Sequence, residues 1–306
     1  MAWLSFFALT LFWGCSFIAI RFAVEAIPPF AAAGMRIFIA TLIMGLLAVV
    51  QRIRGPKSWR EVFLLAFLGV LNFGVPWACL FWGEQYVVPA LASILNSTVP
   101  IFVLLFSWAL LPDEQPNVLK VIGVGLGFGG ILLVFAPALD LNPADRNNLY
   151  GMLSVVTMAV SYAMGGVLIR RHAQHIDIRW SIAVQGACAS AMLFLLSFVS
   201  ESGDWISSAT ERAQALWGVL YLAIFSTAIA WFLFLSLIRE WGPLRAAAVT
   251  YTLPFVAIVI DWFYYGKWPS ANQLVGAGLI ISGVVLIHVA RSRDTKAFST
   301  ASKAAA

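Results

Sequence analysis

The chain has 306 residues, of which 61% are hydrophobic and 11% are charged. Charged residues make up about a quarter of a typical soluble domain, so this composition excludes a protein that folds mainly in water. The net charge of +5 gives no support for nucleic-acid binding, because the basic residues follow the membrane topology described below.

Apolar stretches fill almost the whole chain, and each is long enough to cross a bilayer as a helix of about 20 residues. They predict ten transmembrane helices, at residues 3–23, 30–50, 62–82, 89–111, 118–136, 149–169, 180–199, 214–237, 244–265 and 272–290. The connections between these stretches are too short to hold a catalytic domain outside the membrane. The first stretch follows Met1 and Ala2 directly, without a basic leader, so we expect a retained helix rather than a cleaved signal peptide.

Lys and Arg residues are concentrated in the loops that face the cytoplasm if the N-terminus lies inside. These loops and the tail hold most of the 19 basic residues, including Arg52 and Arg54 after the second span and Arg170 and Arg171 after the sixth. Cytoplasmic loops of membrane proteins retain Lys and Arg, so both termini are predicted to be cytoplasmic. Residues 291–306 are then a cytoplasmic tail.

The three cysteines, Cys15, Cys79 and Cys188, all lie inside predicted spans. Their odd number and their spacing match neither a disulfide framework nor a metal site. We therefore expect them to be packing residues, and we expect no metal and no cofactor.

Prolines and glycines recur at fixed offsets in the two halves of the chain. Pro89 and Pro100 have the same spacing as Pro243 and Pro254. Further along, Pro116, Gly123, Gly125 and Gly130 match Pro269, Gly276, Gly278 and Gly283 at an offset of 153. The match is weak in the first helices, and the pattern predicts a repeat at residues 1–141 and 149–290.

A unit of five spans crosses the membrane an odd number of times, so its second copy must insert upside down. The sequence therefore predicts an all-α integral membrane fold of ten transmembrane helices, arranged as two inverted five-helix repeats around a central cavity. Transporters with this symmetry bind their substrate near the bilayer midplane and rock one half against the other.

Several segments resemble the EamA branch of the drug/metabolite transporter superfamily. They are the stretch from Phe12 to Ile18, the stretch from Pro28 to Arg36, the run from Pro89 to Pro100, and the glycine-rich fifth helix after Asp113 and Glu114. The resemblance covers nearly the whole chain. It implies a small-metabolite exporter of the bacterial inner membrane, in a family that includes carriers for amino acids, other metabolites and toxic cations.

Two features depart from that family pattern, and both lie in the second half. Lys267 and Trp268 stand where the family commonly has an acidic residue, and the short loop near Gly166 lacks the motif of the first half.

Polar and aromatic residues near the predicted span centres are candidates to line a substrate pathway, because polar groups at that depth are costly unless they face water or the bundle interior. We predict substrate contacts from Trp13, Ser16, Asn72, Trp77, Asn96, Thr98, Tyr162, Gln185, Trp231 and Tyr251. The alternative is that the hydroxyl and amide groups only join helices. The aromatic members suit a ligand with an apolar body and a small polar head.

Arg36 lies farther from the span ends than any other Lys or Arg within a predicted span. Its side chain could extend to the outer headgroups or pair with Glu25 or Glu84. It could instead present its guanidinium to a substrate carboxylate. No carboxylate is predicted near a span centre, which disfavours tight proton coupling and a cationic substrate.

Pro100 and Pro254 are each predicted to lie in the middle of a span. A proline there leaves the carbonyl four residues upstream without its amide donor and bends the helix. Each bend is interpreted as a hinge for rocking or as a static kink.

These observations predict a secondary transporter that exports small metabolites by alternating access, with apolar or aromatic amino acids favoured over lipophilic cations. The alternatives are an exporter of drugs or lipophilic cations and, ranked below it, a receptor or scaffold without transport activity. The sequence shows no ring of like charges, which a channel would need, and no cluster of catalytic side chains, which an enzyme would need. It also lacks the glycine-rich phosphate-binding loop of an ATP-driven pump. The expected partners are a small-molecule substrate and membrane lipids, without nucleic acid, and the expected functional unit is a monomer.

Overall fold

The structure is a computed structural model that describes residues 2–87, 92, 95–114, 117–135, 146–201, 213–253, 256 and 271–304. In those ranges every element is helical, and no strand occurs. Pro254, the second predicted hinge, lies outside the described residues, as do Pro89, Pro116, Lys267, Trp268 and Pro269.

Ten labels cover the helices of the described chain. They are α1 (Ala2–Val24), α2 (Pro29–Val50), α3 (Trp59–Gly83), α4 (Val99–Leu110), α5 (Val118–Phe135), α6 (Arg146–Leu168), α7 (Ile178–Ser200), α8 (Ala213–Trp241), α9 (Pro243–Ala247) and α10 (Ala271–Ala304). A π turn continues α6, a 3-10 turn continues α9, and α1 is interrupted at Cys15. The last helix continues through the predicted tail as far as Ala304.

Six helices in the described ranges are long and apolar enough to cross a membrane, and they coincide with the first, second, third, sixth, seventh and eighth predicted spans. Shorter apolar helices lie at Val99–Leu110, Val118–Leu133 and Leu274–Ala290. The prediction of an all-α membrane protein is confirmed. The count of ten spans and the inverted repeat stay predictions.

Two of the long helices, α3 and α8, contain a π turn at their middle, at Val70–Gly74 and Ile224–Ile229. A π turn shifts one amide to the carbonyl five residues back. The amide of Val75 donates to Val70 and that of Ala230 to Phe225. The carbonyls of the next residues along, Leu71 and Ser226, therefore lose their usual amide donor.

Neighbouring helices satisfy both of these carbonyls. The hydroxyl of Ser161 on α6 donates to the carbonyl of Leu71 at 2.9 Å. The indole of Trp13 on α1 donates to the carbonyl of Ser226 at 3.0 Å. Each π turn is thus a docking point for a helix from the other half of the chain.

A buried amide pair joins α3 to α7 beside the first π turn. Asn72 Nδ2 donates to Gln185 Oε1 at 2.9 Å and to the carbonyl of Leu68 at 2.9 Å. Gln185 Nε2 donates in turn to the hydroxyl of Ser181 at 2.7 Å. Both amide side chains are fully buried, so this pair joins helices in the bundle interior.

The helices α5 and α10 run antiparallel at very close range. A Cβ atom placed on Gly123 would lie 2.9 Å from the carbonyl oxygen of Gly283. One placed on Gly130 would lie 2.6 Å from the carbonyl oxygen of Gly276. Small residues permit such close backbone approach between membrane helices, where van der Waals packing drives association.

We expect Gly130→Ala to destabilise the protein by about 1 to 3 kcal/mol, the usual cost of overpacking, because the methyl group would push the two backbones apart. Gly129→Ala is the matched control, since its Cβ would meet no atom within 4 Å. Thermal unfolding in detergent measures both variants. Equal midpoints for the two variants would contradict this account of the interface.

Loss of one member of the amide pair should cost more than loss of both. Gln185→Leu leaves one N–H of the buried Asn72 amide without an acceptor, which costs about 1 to 3 kcal/mol. We expect the double variant Asn72→Leu, Gln185→Leu to regain part of that loss, and thermal unfolding of the two single variants and the double variant tests the coupling. Strictly additive effects would show that the two side chains act independently.

Candidate functional site

A cavity lies between the two halves of the bundle, with α1, α2, α3, α6 and α8 contributing to its wall. The lining residues are Trp13, Ser16, Phe17, Arg36, Trp77, Leu80, Asn96, Met158, Tyr162, Trp231, Thr250 and Leu253. The empty space in the cavity and at its mouth is about 490 Å³, of which the centres of water molecules can occupy about 50 Å³. That suffices for a few waters, since one water needs roughly 10 to 15 Å³ by this measure.

Seven of the residues singled out from the sequence come together in this cavity. They are Trp13, Ser16, Arg36, Trp77, Asn96, Tyr162 and Trp231. The apolar lining residues Phe17, Leu80, Met158 and Leu253 were missed, because an apolar side chain facing a cavity carries no sequence signal that separates it from one facing lipid. Thr250 could have been found from the sequence, because Pro254 lies four residues later and a proline leaves the carbonyl four residues upstream without its amide donor.

Arg36 points from α2 toward the π turn of α8. Its Nε donates to the hydroxyl of Thr227 at 2.7 Å. Its Nη2 donates to the hydroxyl of Ser226 at 3.1 Å and to the carbonyl of Ser226 at 3.3 Å. The side chain is only 4% exposed, so the guanidinium is buried inside the bundle and does not reach the outer headgroups.

Two further groups from α3 act on the same guanidinium. The ring of Trp77 lies under it, with 3.9 Å between the guanidinium carbon and the ring centroid. Glu84 is itself buried and interacts electrostatically with Arg36. The aromatic face and the nearby anion each offset part of the cost of removing this cation from water.

Aromatic rings form most of the remaining wall. The ring of Tyr162 lies 6.0 Å from that of Trp13 and 5.4 Å from that of Trp231, between centroids. Phe73 packs behind the wall, with its centroid 4.2 Å from Trp231 and 5.1 Å from Trp77. Edge-on packing of this kind holds large side chains in fixed positions.

Other predicted site residues lie elsewhere. Asn72 and Gln185 bond to each other in the bundle interior. Thr98 donates to the carbonyl of Leu95 at 2.7 Å. Tyr251 is fully buried and donates to the carbonyl of Val124 on α5 at 3.1 Å. None of these four is among the residues that line the cavity.

The helix is interrupted next to Pro100, the first predicted hinge. Pro100 lies in the first turn of α4, directly after a turn at Ser97 and Thr98. The hydroxyl of Ser97 donates to the carbonyl of Thr250 at 3.2 Å, which lies in the 3-10 turn after α9. Amides in the first turn of a helix have no acceptor within that helix, so the missing N–H of a proline costs nothing there. The helix α4 begins at Val99, directly before the proline, and does not bend around it.

The three cysteines are free thiols, each partly buried. Within the described ranges, no group of three or more His, Cys, Asp or Glu side chains is placed to hold a metal ion. The polar groups of the cavity lining are one guanidinium, one amide, three hydroxyl groups and the indole N–H groups of three tryptophans.

Several proteins, two of them named as transporters, are similar to this chain over nearly its full length. The uncharacterized transporter YoaV of Bacillus subtilis is 28% identical over 92% of this chain and 95% of its own length. The uncharacterized inner membrane transporter YedA of Escherichia coli K12 is 28% identical over 93% of this chain and 90% of its own length. Protein PecM of Dickeya dadantii is 25% identical over 90% of this chain and 88% of its own length.

A solved crystal structure has the same fold, with a TM-score of 0.77 over 95% of this chain and 98% of that chain, at 18% sequence identity. Residues 1–136 and 149–289 both match the EamA-like transporter family. Together these segments cover most of the sequence. The chain is a multi-pass membrane protein that belongs to the EamA-like transporter family, whose members are named as transporters and not as enzymes.

Proposed function

We propose that this transporter exports small metabolites that combine a carboxylate with an apolar or aromatic body, and that apolar and aromatic amino acids are its leading substrates. It works as a monomeric secondary transporter in the bacterial inner membrane. The observation that carries the proposal is the buried guanidinium of Arg36 at the wall of an aromatic cavity.

The charge of Arg36 favours an anionic head group. A carboxylate accepts charge-assisted hydrogen bonds from a guanidinium, and Arg36 Nη1 makes no hydrogen bond to any residue that the structure describes. Asn96 adds an amide to the same wall. The described lining includes no Asp or Glu side chain, so a lipophilic cation would find no carboxylate at the cavity wall to pair with.

The aromatic wall favours an apolar body. Trp13, Tyr162 and Trp231 offer large flat surfaces, and burial of apolar area against them stabilises the bound state by about 25 cal/mol per Å². The cavity holds only a few waters in this conformation. A metabolite therefore needs the walls to separate, which is the motion that alternating access provides.

Two sets of contacts support an inverted repeat at 1–141 and 149–290. Under the offset of 153, Gly123 corresponds to Gly276 and Gly130 to Gly283. If the two halves are exchanged, the contact of Gly123 with Gly283 is therefore equivalent to the contact of Gly276 with Gly130. Both contacts are present. An antiparallel helix pair that exchanges equivalent positions has a two-fold axis perpendicular to its helices, which for membrane-spanning helices lies in the membrane plane.

The π turns repeat the same relation. The turn in α3 accepts a hydrogen bond from Ser161 on α6, and the turn in α8 accepts one from Trp13 on α1. The first helix of one half thus docks on the third helix of the other half, in both directions. This exchange supports the rocking of one half against the other as the transport motion.

Removal of the guanidinium should weaken carboxylate recognition. In proteoliposomes, we expect the wild type to transport labelled phenylalanine and leucine and to exclude tetraphenylphosphonium. Arg36→Gln should raise KM for both amino acids about tenfold or more, the worth of a hydrogen bond between charged groups. The matched control is Arg171→Gln, at an exposed position, and its KM should not change.

Three results would contradict the proposal. Unchanged apparent affinity in an Arg36→Gln variant that inserts normally would remove Arg36 from substrate recognition. Transport of tetraphenylphosphonium without amino acids would favour the cation exporter. Absence of any transport would favour a receptor or scaffold.

The proposed orientation places both termini and the tail 291–306 in the cytoplasm. In a variant without Cys15, Cys79 and Cys188, a cysteine at Lys303 should react with an impermeant maleimide only after the cells are permeabilised. A cysteine at Glu25, in the exposed first loop, should react in intact spheroplasts. The reverse pattern would show that the chain inserts with its termini outside.

A further inference from the structure

The hydrogen bonds of Arg36 occupy one edge of its guanidinium. Nε and Nη2 lie on the same side of the group, and both donate to the π turn of α8, to Thr227 and Ser226. The face of the group rests on Trp77. Of the three nitrogens, only Nη1 lacks a hydrogen bond to the described residues, while Arg36 lines the cavity.

Thr227 is fixed as the acceptor in its bond with Arg36. Its hydroxyl donates its single proton to the carbonyl of Leu222 at 2.7 Å. A hydroxyl has only one proton to donate, so the Thr227 oxygen can only accept in its bond with Arg36 Nε. The acceptor carbonyl lies five residues upstream, so this geometry depends on the π turn at Ile224–Ile229.

We propose that Thr227 is a positioning residue that orients the guanidinium of Arg36, so that the Nη1 end alone meets a substrate carboxylate. Thr227 is fully buried and outside the cavity lining, so it acts through Arg36 and not by touching substrate. Selectivity for a carboxylate over a neutral head group depends on this orientation. The proposal rests on the proposed function for the role of Arg36.

A hydrogen-exchange measurement tests the positioning without any substrate. The protein is labelled with ¹⁵N-arginine in lipid nanodiscs, and the Arg36 Nε signal is assigned by its loss in Arg36→Lys. We expect Thr227→Val to speed exchange of this proton about tenfold or more, the effect of losing a bond to a charged donor. Thr227→Ser should keep the wild-type rate, and unchanged exchange in Thr227→Val would overturn the proposal.

The matched control is Thr157→Val. Thr157 is an exposed residue of α6 whose hydroxyl donates to its own helix, to the carbonyl of Leu153 at 2.9 Å. The substitution removes the same hydroxyl from an exposed position that makes no hydrogen bond to Arg36, and Nε exchange should stay at the wild-type rate. If Thr227→Val does not fold, Thr227→Cys replaces it, because a thiol is a weak acceptor and should show the same faster exchange.

A transport measurement tests the consequence for selectivity. The probes are phenylalanine and phenylalaninamide, which differ in the head group alone. Thr227→Val should raise KM for phenylalanine about tenfold relative to that for phenylalaninamide, with kcat little changed. Thr227→Ser should restore the preference, and an equal loss for both probes would indicate a merely structural role and overturn the proposal.

The two proposals fail in different ways. If the wild type transports neither probe, the proposed substrate class is wrong, and the exchange measurement alone decides the positioning role. If Arg36→Gln loses phenylalanine transport while Thr227→Val keeps it, the proposed function stands and the role of Thr227 is rejected.

Discussion

A helix in lipid must satisfy its backbone polar groups within the protein, because the surrounding hydrocarbon offers no partners. The π turns of α3 and α8 are two places where this constraint reaches beyond a single helix. Each turn leaves one carbonyl to be satisfied from outside, and Ser161 and Trp13 supply the donors. The helices around the cavity are therefore held in register by hydrogen bonds, and the cavity takes its shape from them.

The same constraint explains how the bundle tolerates a buried cation. A guanidinium in a medium of low dielectric constant is costly unless its donors are used and its charge is offset. The π turn of α8 supplies two hydroxyl groups and a carbonyl, Trp77 supplies an aromatic face, and Glu84 supplies negative potential. Arg36 Nη1, which makes no hydrogen bond to the described residues, can still donate to a ligand at the cavity wall.

Composition and span length predicted the membrane class and the positions of the six long helices, because burial in lipid selects residues strongly and uniformly. Depth also identified Arg36 and most of the polar and aromatic lining. Asn72 and Gln185 were predicted to contact substrate, with the joining of helices as the alternative. Their pairing spans 113 positions and has no local signature. The π turns were not predictable either, since a shift of one hydrogen bond leaves the apolar pattern of α3 and α8 unchanged.

Arg36 and Gln185 are each the eighth residue of their helix, counted from Pro29 and from Ile178. Arg36 bonds to the π turn of α8, and Gln185 bonds to Asn72 in the π turn of α3. The bundle thus builds one joint twice, with an ionic version and a neutral version. An anionic ligand attracted to the ionic joint would bind in one orientation, with its charged end toward α2 and α8. The two joints have equivalent positions in the bundle, but only one of them carries a charge.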